Sequence, residues 1–186
     1  MARIAPVAGL AAVLACILLT AATAGASDPW AKLRRPLHIP HIPPGSPCPV
    51  TPARHVSSSF GPAQGPGPVY PVGSFPTLPF IYPPQPDQVW YGSKWSGQKV
   101  LWIARPSYRG PILIRGRQLH GNHGLRFERG LDPARELRYV AGFGSGFRGW
   151  RAMPSYTRLR APGCYAWQVD GTTFSRVIVF RAVLAS

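Results

Sequence analysis

Sixteen of the 23 prolines in this chain fall between Pro36 and Pro86. Proline lacks an N–H and fixes φ, so this density forbids helix interiors and central strands there. Extended, polyproline-like or turn-rich backbone is predicted instead. Two arrangements fit: a solvated, semi-rigid spacer, or an ordered arm laid over a domain. The stretch carries Val50, Val56, Phe60, Val69, Tyr70, Phe75, Phe80, Ile81 and Tyr82. That is more apolar surface than a solvated linker holds, and it favours the ordered arm. Phe60, Val69, Tyr70 and Phe80 are expected to touch the domain, whose own core strands are expected only after Val89.

The first 26 residues read as a secretory signal peptide. Arg3 gives a basic start, Val7 to Leu19 is almost wholly apolar, and Ala24-Gly25-Ala26 is a small-residue cleavage site. The apolar run is too short to span a bilayer, so no transmembrane segment is expected after signal removal. Cys16 leaves with the signal, and Cys48 and Cys164 remain. Two cysteines in an exported chain most simply form one disulfide. An alternative is lipid anchoring: Val13-Leu14-Ala15-Cys16 loosely matches a lipobox, although Ile17-Leu18-Leu19 continues the apolar run where a polar tether is expected.

The chain divides into the signal (1–26), a Pro-rich N-terminal arm (27–88) and a β-rich domain (89–186). In the last, short β-branched and aromatic runs alternate with breakers. Strands are predicted near Val89–Tyr91, Val100–Ala104, Ile112–Arg115, Leu125–Phe127, Leu137–Val140, Tyr156–Arg160, Cys164–Val169 and Ser175–Ala182. No sustained helical period appears, although Asp132-Pro133 could start a single turn of helix. Asp170-Gly171 marks a hairpin. Tyr165, Trp167 and Val169 form a bulky apolar face, which puts Cys164 on the other one. A bond from Cys164 to Cys48 would therefore staple the arm to the outside of the sandwich. Seven or eight short strands in such a length fit an all-β fold, an antiparallel immunoglobulin-like β-sandwich.

The runs Gln98 to Trp102, Gly110 to Gly116 and Pro154 to Tyr165 resemble a group of exported proteins from GC-rich bacteria with an immunoglobulin-like β-rich C-terminal domain. The Pro162-Gly163-Cys164-Tyr165 start is similar to the turn entering the penultimate strand of such domains. The resemblance implies export and a β-rich fold. The group has no assigned activity, so no catalytic residue carries over.

Candidate chemistry is sparse. His38/His41 and His120/His123 each have His-x-x-His spacing, and two imidazoles can supply half a zinc or copper site. Neither pair is helical, and six carboxylates leave few third ligands, so solvated loop histidines are the plainer account. Gly144 to Gly149 matches G-x-G-x-x-G, but no helix follows to receive a phosphate; a surface loop is expected. A G-x-S-x-G elbow is absent and both cysteines are committed. No catalytic residue and no cofactor is assigned. Among the aromatics, Trp95 and Trp150 sit in polar, Gly-rich loops, with Arg148 and Arg151 flanking Trp150. These four are the candidate ligand-binding residues.

The formal charge is +15, with 21 Lys and Arg against six Asp and Glu. It can reflect the residue bias of a GC-rich genome, since 18 of these are arginine, or attraction to a polyanion. The arginines form no dense run and no nucleic-acid motif is present, so nucleic acid is not expected as a partner. The sequence reads as a secreted or cell-envelope protein without catalytic function, adhesive, scaffolding or wall-polymer-binding. Its partner would be an anionic cell-wall polymer or another envelope protein. The alternative is a secreted enzyme or metal-binding protein using the His120/His123 loop.

Overall fold

A computed structural model describes residue 1, residues 28–73 and residues 76–185. The expected signal, the lipobox cysteine Cys16 and Phe75 lie outside the described residues. The protein is all-β, with two sheets, one of them curled into a half-barrel. Twelve strands are described: β1 (Ala53–Arg54), β2 (Ala63–Gln64), β3 (Val69–Val72), β4 (Thr77–Phe80), β5 (Ser96–Ala104), β6 (Ile112–Gln118), β7 (Arg126–Phe127), β8 (Leu137–Tyr139), β9 (Ser145–Phe147), β10 (Trp150–Leu159), β11 (Gly163–Asp170) and β12 (Ser175–Leu184). A 3₁₀ turn at Ala31–Leu33 precedes them.

The first sheet runs β1-β2-β3-β5-β10-β7, with β9 also on β10. The second runs β4-β12-β11-β6-β8. Between them lies a core built by alternation. Val100, Trp102 and Ala104 of β5 meet Ile112 and Ile114 of β6, Tyr165, Trp167 and Val169 of β11, and Ile178, Phe180 and Ala182 of β12. Trp102 and Trp167 pack edge to face at 5.4 Å, and Trp167 stacks on Phe180 at 3.8 Å. Each buried ring contributes on the order of 2–3 kcal/mol by area alone.

Five expectations are corrected here. Core strands do not begin after Val89, because β3 and β4 come from the arm and bring Val69, Leu78 and Phe80 into the core. Prolines do not bar the arm from a central strand. Pro71 lies in β3, opposite Trp102 of β5, where β2 pairs only at Val72. Pro154 is likewise in β10, at the gap between its pairings with β9 and β7, so its missing N–H interrupts no ladder on that side. Pairing is not wholly antiparallel, since β4 runs parallel to β12. Finally, Val89–Tyr91 forms turns that cover the first sheet, and Asp132-Pro133 starts no helical turn.

The described residues of the arm pack on the sandwich and cross both outer faces. Residues 33–51 cover the second sheet. Cys164, Ala166, Gln168 and Asp170 of β11 point outward there, as the alternation predicts, yet all four are buried. Extended proline-bearing backbone cannot pair with itself, so side chains satisfy it. Gln168 accepts from the His38 N–H at 2.7 Å and donates to the Pro36 carbonyl at 2.9 Å. Arg117 donates to the Ile39 carbonyl at 2.7 Å. Arg115 donates to the Arg35 carbonyl and to Asp170, the latter at 2.8 Å, while Arg35 lies 3.5 Å from the same carboxylate. Cys48 bonds Cys164 with a Cα–Cα separation of 5.5 Å. The predicted staple to the outside of the sandwich is thus present. Residues 53–64 then cross the first sheet. There Tyr70, Ala63 and Ile103 form a separate apolar cluster, covered by Val56, Phe60 and Trp150.

Candidate functional site

The loops at one end of the sandwich converge. They are the β5–β6 loop (residues 105–111), the β8–β10 segment with its hairpin (140–149), and the β11–β12 loop (171–174). Two arginines fix them from beneath. Arg151 is 1% exposed. Its guanidinium donates to the carbonyls of Tyr108 at 3.1 Å, Gly110 at 3.2 Å and Phe143 at 3.3 Å, tying the first loop to the second. Arg35 donates to the carbonyls of Gly171, Phe174 and Thr172, fixing the third. Between them the Tyr108 hydroxyl donates to the Pro111 carbonyl and accepts the Thr172 N–H, while its ring packs edge to face on Phe174 at 5.0 Å. The Gly142 N–H donates to the Arg109 carbonyl at 2.9 Å. These are loops on a built frame.

Above the frame the surface is cationic and aromatic. Arg105, Arg109, Arg148 and Arg176 are exposed there and form no ion pair among the described residues. Phe143 and Phe147 are 51% and 50% exposed. The three loops contain no Asp or Glu. Asp170, the nearest carboxylate in sequence, is buried under Arg35 and Arg115. Asp87, Glu128 and Asp132 lie toward the opposite end of the strands.

Arg148 holds the tip. Trp150 pairs with Phe147, which leaves Arg148-Gly149 as a two-residue hairpin loop. Both residues have positive φ, 47° and 82°, the pattern of a type I′ turn that favours Asn-Gly. A non-glycine side chain in this region costs about 1 kcal/mol. The G-x-G-x-x-G stretch is therefore a β-hairpin, a more regular element than the surface loop its composition suggests.

Of the four ligand candidates read from sequence, the structure brings Trp150 and Arg148 to this end. Trp150 is half-buried, edge to face with Phe60 at 6.1 Å and tilted over Tyr70 at 6.4 Å. Arg148 is exposed, 5.6 Å over the Phe147 ring. Arg151 is corrected from a loop residue to a buried strand residue: β10 starts at Trp150, so alternation turns Arg151 inward. Burial lowers its pKa, with Arg109 adding to that, while Tyr108 opposes. Trp95 is at the other end of β5. Arg105, Arg109, Arg176 and Phe143 were missed by sequence, though Ser107-Tyr108-Arg109-Gly110 was legible as a loop.

His120 packs over Gly163 in an open cleft beside the disulfide, with Arg181 on its rim. The Gln118 N–H donates to the His123 carbonyl at 2.8 Å, closing that loop. Among the described residues no three His, Cys, Asp or Glu side chains gather in a metal-binding group. None of the described helical residues forms a helix long and apolar enough to cross a membrane.

No protein-family model matches this chain, and no curated protein matches it. Among solved structures it is similar to a crystal structure from Bacillus anthracis described as that of a candidate lipoprotein. The TM-score is 0.49 and the identity 12%, over 75% of this chain and 88% of that one. A likeness that loose carries no argument about role.

Proposed function

We propose that this is an exported, non-catalytic binding protein with an immunoglobulin-like sandwich, and that the loop end described above binds an anionic cell-wall polymer. Two observations support the immunoglobulin-like reading. The order β12-β11-β6-β8, facing β3-β5-β10, matches the arrangement in which the last, penultimate and third strands share a sheet opposite the first, second and fifth. The Tyr165 hydroxyl donates to the Ala161 carbonyl at 2.9 Å, as in the tyrosine corner entering the penultimate strand. The edge strand β7 departs from that plan, because it precedes β8 in the chain. Export is supported by the leader-like N-terminus together with the Cys48–Cys164 disulfide.

The observation that carries the binding role is Arg148. A long cationic side chain occupies a left-handed turn position that asparagine fills at lower cost, at the tip of loops that contain no Asp or Glu, beside exposed arginines that form no ion pair among the described residues. Backbone cost kept at an exposed tip points to use of its side chain. Exposed aromatics beside the arginines suit a sugar chain bearing acidic groups. The test is sedimentation of the intact protein with isolated cell wall. Binding should weaken steeply as salt shortens the screening length from about 10 Å at 0.1 M to about 3 Å at 1 M. Arg148→Asn should hold or raise thermal stability while weakening binding several-fold. Unchanged binding by Arg148→Asn and by Arg105→Gln would overturn the proposal and leave the charge as residue bias.

A further inference from the structure

A second gathering of arginines lies at the other end of β5. Trp95 directly precedes this strand, and its carbonyl accepts from the Arg158 guanidinium at 2.5 Å. Arg158 is itself fully buried, and its remaining donors reach the carbonyls of Ser96, Glu128 and Gly130. The backbone under Trp95 is therefore fixed by a residue with no freedom to move. The indole is half-exposed. Two further guanidinium groups lie against it: that of Arg126 at 4.9 Å from the ring centroid and that of Arg160 at 5.1 Å.

These two arginines have few other partners. Arg126 donates to the Leu125 carbonyl at 3.0 Å. Arg160, in the turn between β10 and β11, is exposed and makes no hydrogen bond and no ion pair among the described residues. Burial holds the Arg126 guanidinium below the usual arginine range; Arg135 and Arg160 add to the effect and Asp132 opposes it. Two guanidinium groups thus gather at one ring, 4.9 Å and 5.1 Å from its centroid, and neither forms an ion pair among the described residues. Like charges gathered at one ring repel, and a bound anion relieves the repulsion. Stacking on an indole orients a guanidinium plane and leaves its N–H edge free to donate.

We propose that Trp95, Arg126 and Arg160 form an oxyanion site for a phosphoryl group. The class follows from donor count. A carboxylate presents two oxygens and satisfies one guanidinium fork, whereas a phosphoryl group presents enough oxygens for two. This site is at the opposite end from Arg148, so it stands or falls independently of the polymer-binding loops.

The test titrates the intact, oxidised protein with inorganic phosphate at constant ionic strength, following the arginine Nε–H and tryptophan indole signals by NMR. Saturable shifts are expected at Arg126, Arg160 and Trp95. Arg160→Gln, an exposed change that leaves the fold intact, should weaken binding about tenfold or more. Arg126→Lys keeps the charge but removes the fork, and should also lose most of the affinity. Arg148→Asn should leave phosphate binding unchanged. Acetate in place of phosphate should give no saturation. A poly(glycerol phosphate) arm separates the sources: tighter binding per phosphate assigns the group to a polymer, and equal binding assigns it to free phosphate. Absence of saturation by both phosphate and the polymer, equal saturation by acetate, or loss on Arg148→Asn but not on Arg160→Gln would overturn the site.

Discussion

The two outer faces of this sandwich are covered by one arm, but by different chemistry. On the second sheet the arm is clamped by Arg115, Arg117, Gln168 and Asp170, with a disulfide at Cys164. On the first sheet it lies on an apolar cluster of Tyr70, Ile103 and Ala63 under Phe60, Val56 and Trp150. The difference follows from what each stretch of arm can offer. Around Pro36 and Pro40 the backbone has carbonyls in excess of N–H groups, and a polar face satisfies them. Around Phe60 and Tyr70 the side chains are large and apolar, and area suffices. The polar clamp specifies position, and the apolar cover supplies non-directional attraction.

The strongest test removes both at once. A chain beginning at residue 87 with Cys164→Ser lacks β3 and β4 and with them Val69, Leu78 and Phe80. It should show no cooperative urea transition. Stability equal to that of the intact protein would make the arm a mere spacer. Next comes the covalent link. Cys48 and Cys164 are 116 residues apart, and opening so long a loop by Cys48→Ser with Cys164→Ser should cost about 4 kcal/mol. The core should survive, which near-ultraviolet circular dichroism of the buried tryptophans would register.

Asp170→Asn strikes the clamp alone. Its carboxylate is fully buried between Arg35 and Arg115, and stranding Arg115 should cost about 3 kcal/mol in urea unfolding. Hydrogen exchange should quicken at His38, whose N–H is bonded to Gln168, and not at β3. Phe60→Ala strikes the other face and should cost about 1.5 kcal/mol, since the ring is only half-buried; exchange should then quicken around β2 and leave His38 unaffected. If both variants loosen both faces, the arm acts as one unit and the distinction fails.

The smallest effect concerns pH. Burial acts to raise the Glu136 pKa, but hydrogen bonds from Arg34 and Arg138 outweigh it and hold the carboxyl below its ordinary 4.5. A lowered folded pKa gives stability that is complete above about 4.5 and is lost as the pH falls through the folded value. Glu136→Gln should therefore lower neutral stability slightly and flatten the acid limb of a stability–pH curve by the same small amount, leaving the acid end unchanged. An unchanged acid limb would mean that the Arg34 contact does not hold the start of the arm.

Much of the fold was legible because alternation in β11 is strict. Tyr165, Trp167 and Val169 face inward and Cys164 outward, so the disulfide's position followed from parity alone. The arm's strands were not legible. A proline is excluded from a central strand only where its N–H would be needed, and Pro71 and Pro154 stand opposite gaps in their neighbours' ladders, a property of the neighbours. The site was less legible still. Arg151 and Arg148 are three residues apart in one Gly-rich stretch, and composition treats them alike. Where β10 starts decides that one is a buried frame and the other an exposed tip. The gathering of Arg105, Arg109 and Arg148 on loops without carboxylates arises from where three loops end in space, which one-dimensional spacing does not encode.

The position of the disulfide also decides how the molecule would bear load. Tension applied at the N-terminal end of the arm would first act on the polar contacts of residues 33–42 with the second sheet, which can detach one after another. At Cys48 the force would leave the noncovalent path and enter β11, a strand held between β12 and β6. Everything between Cys48 and Cys164 lies inside the closed covalent loop and is shielded from further extension. That shielded segment includes β10 with its hairpin tip, so the loops carrying Arg105, Arg109 and Arg148 would keep their geometry while the arm ahead of them yields.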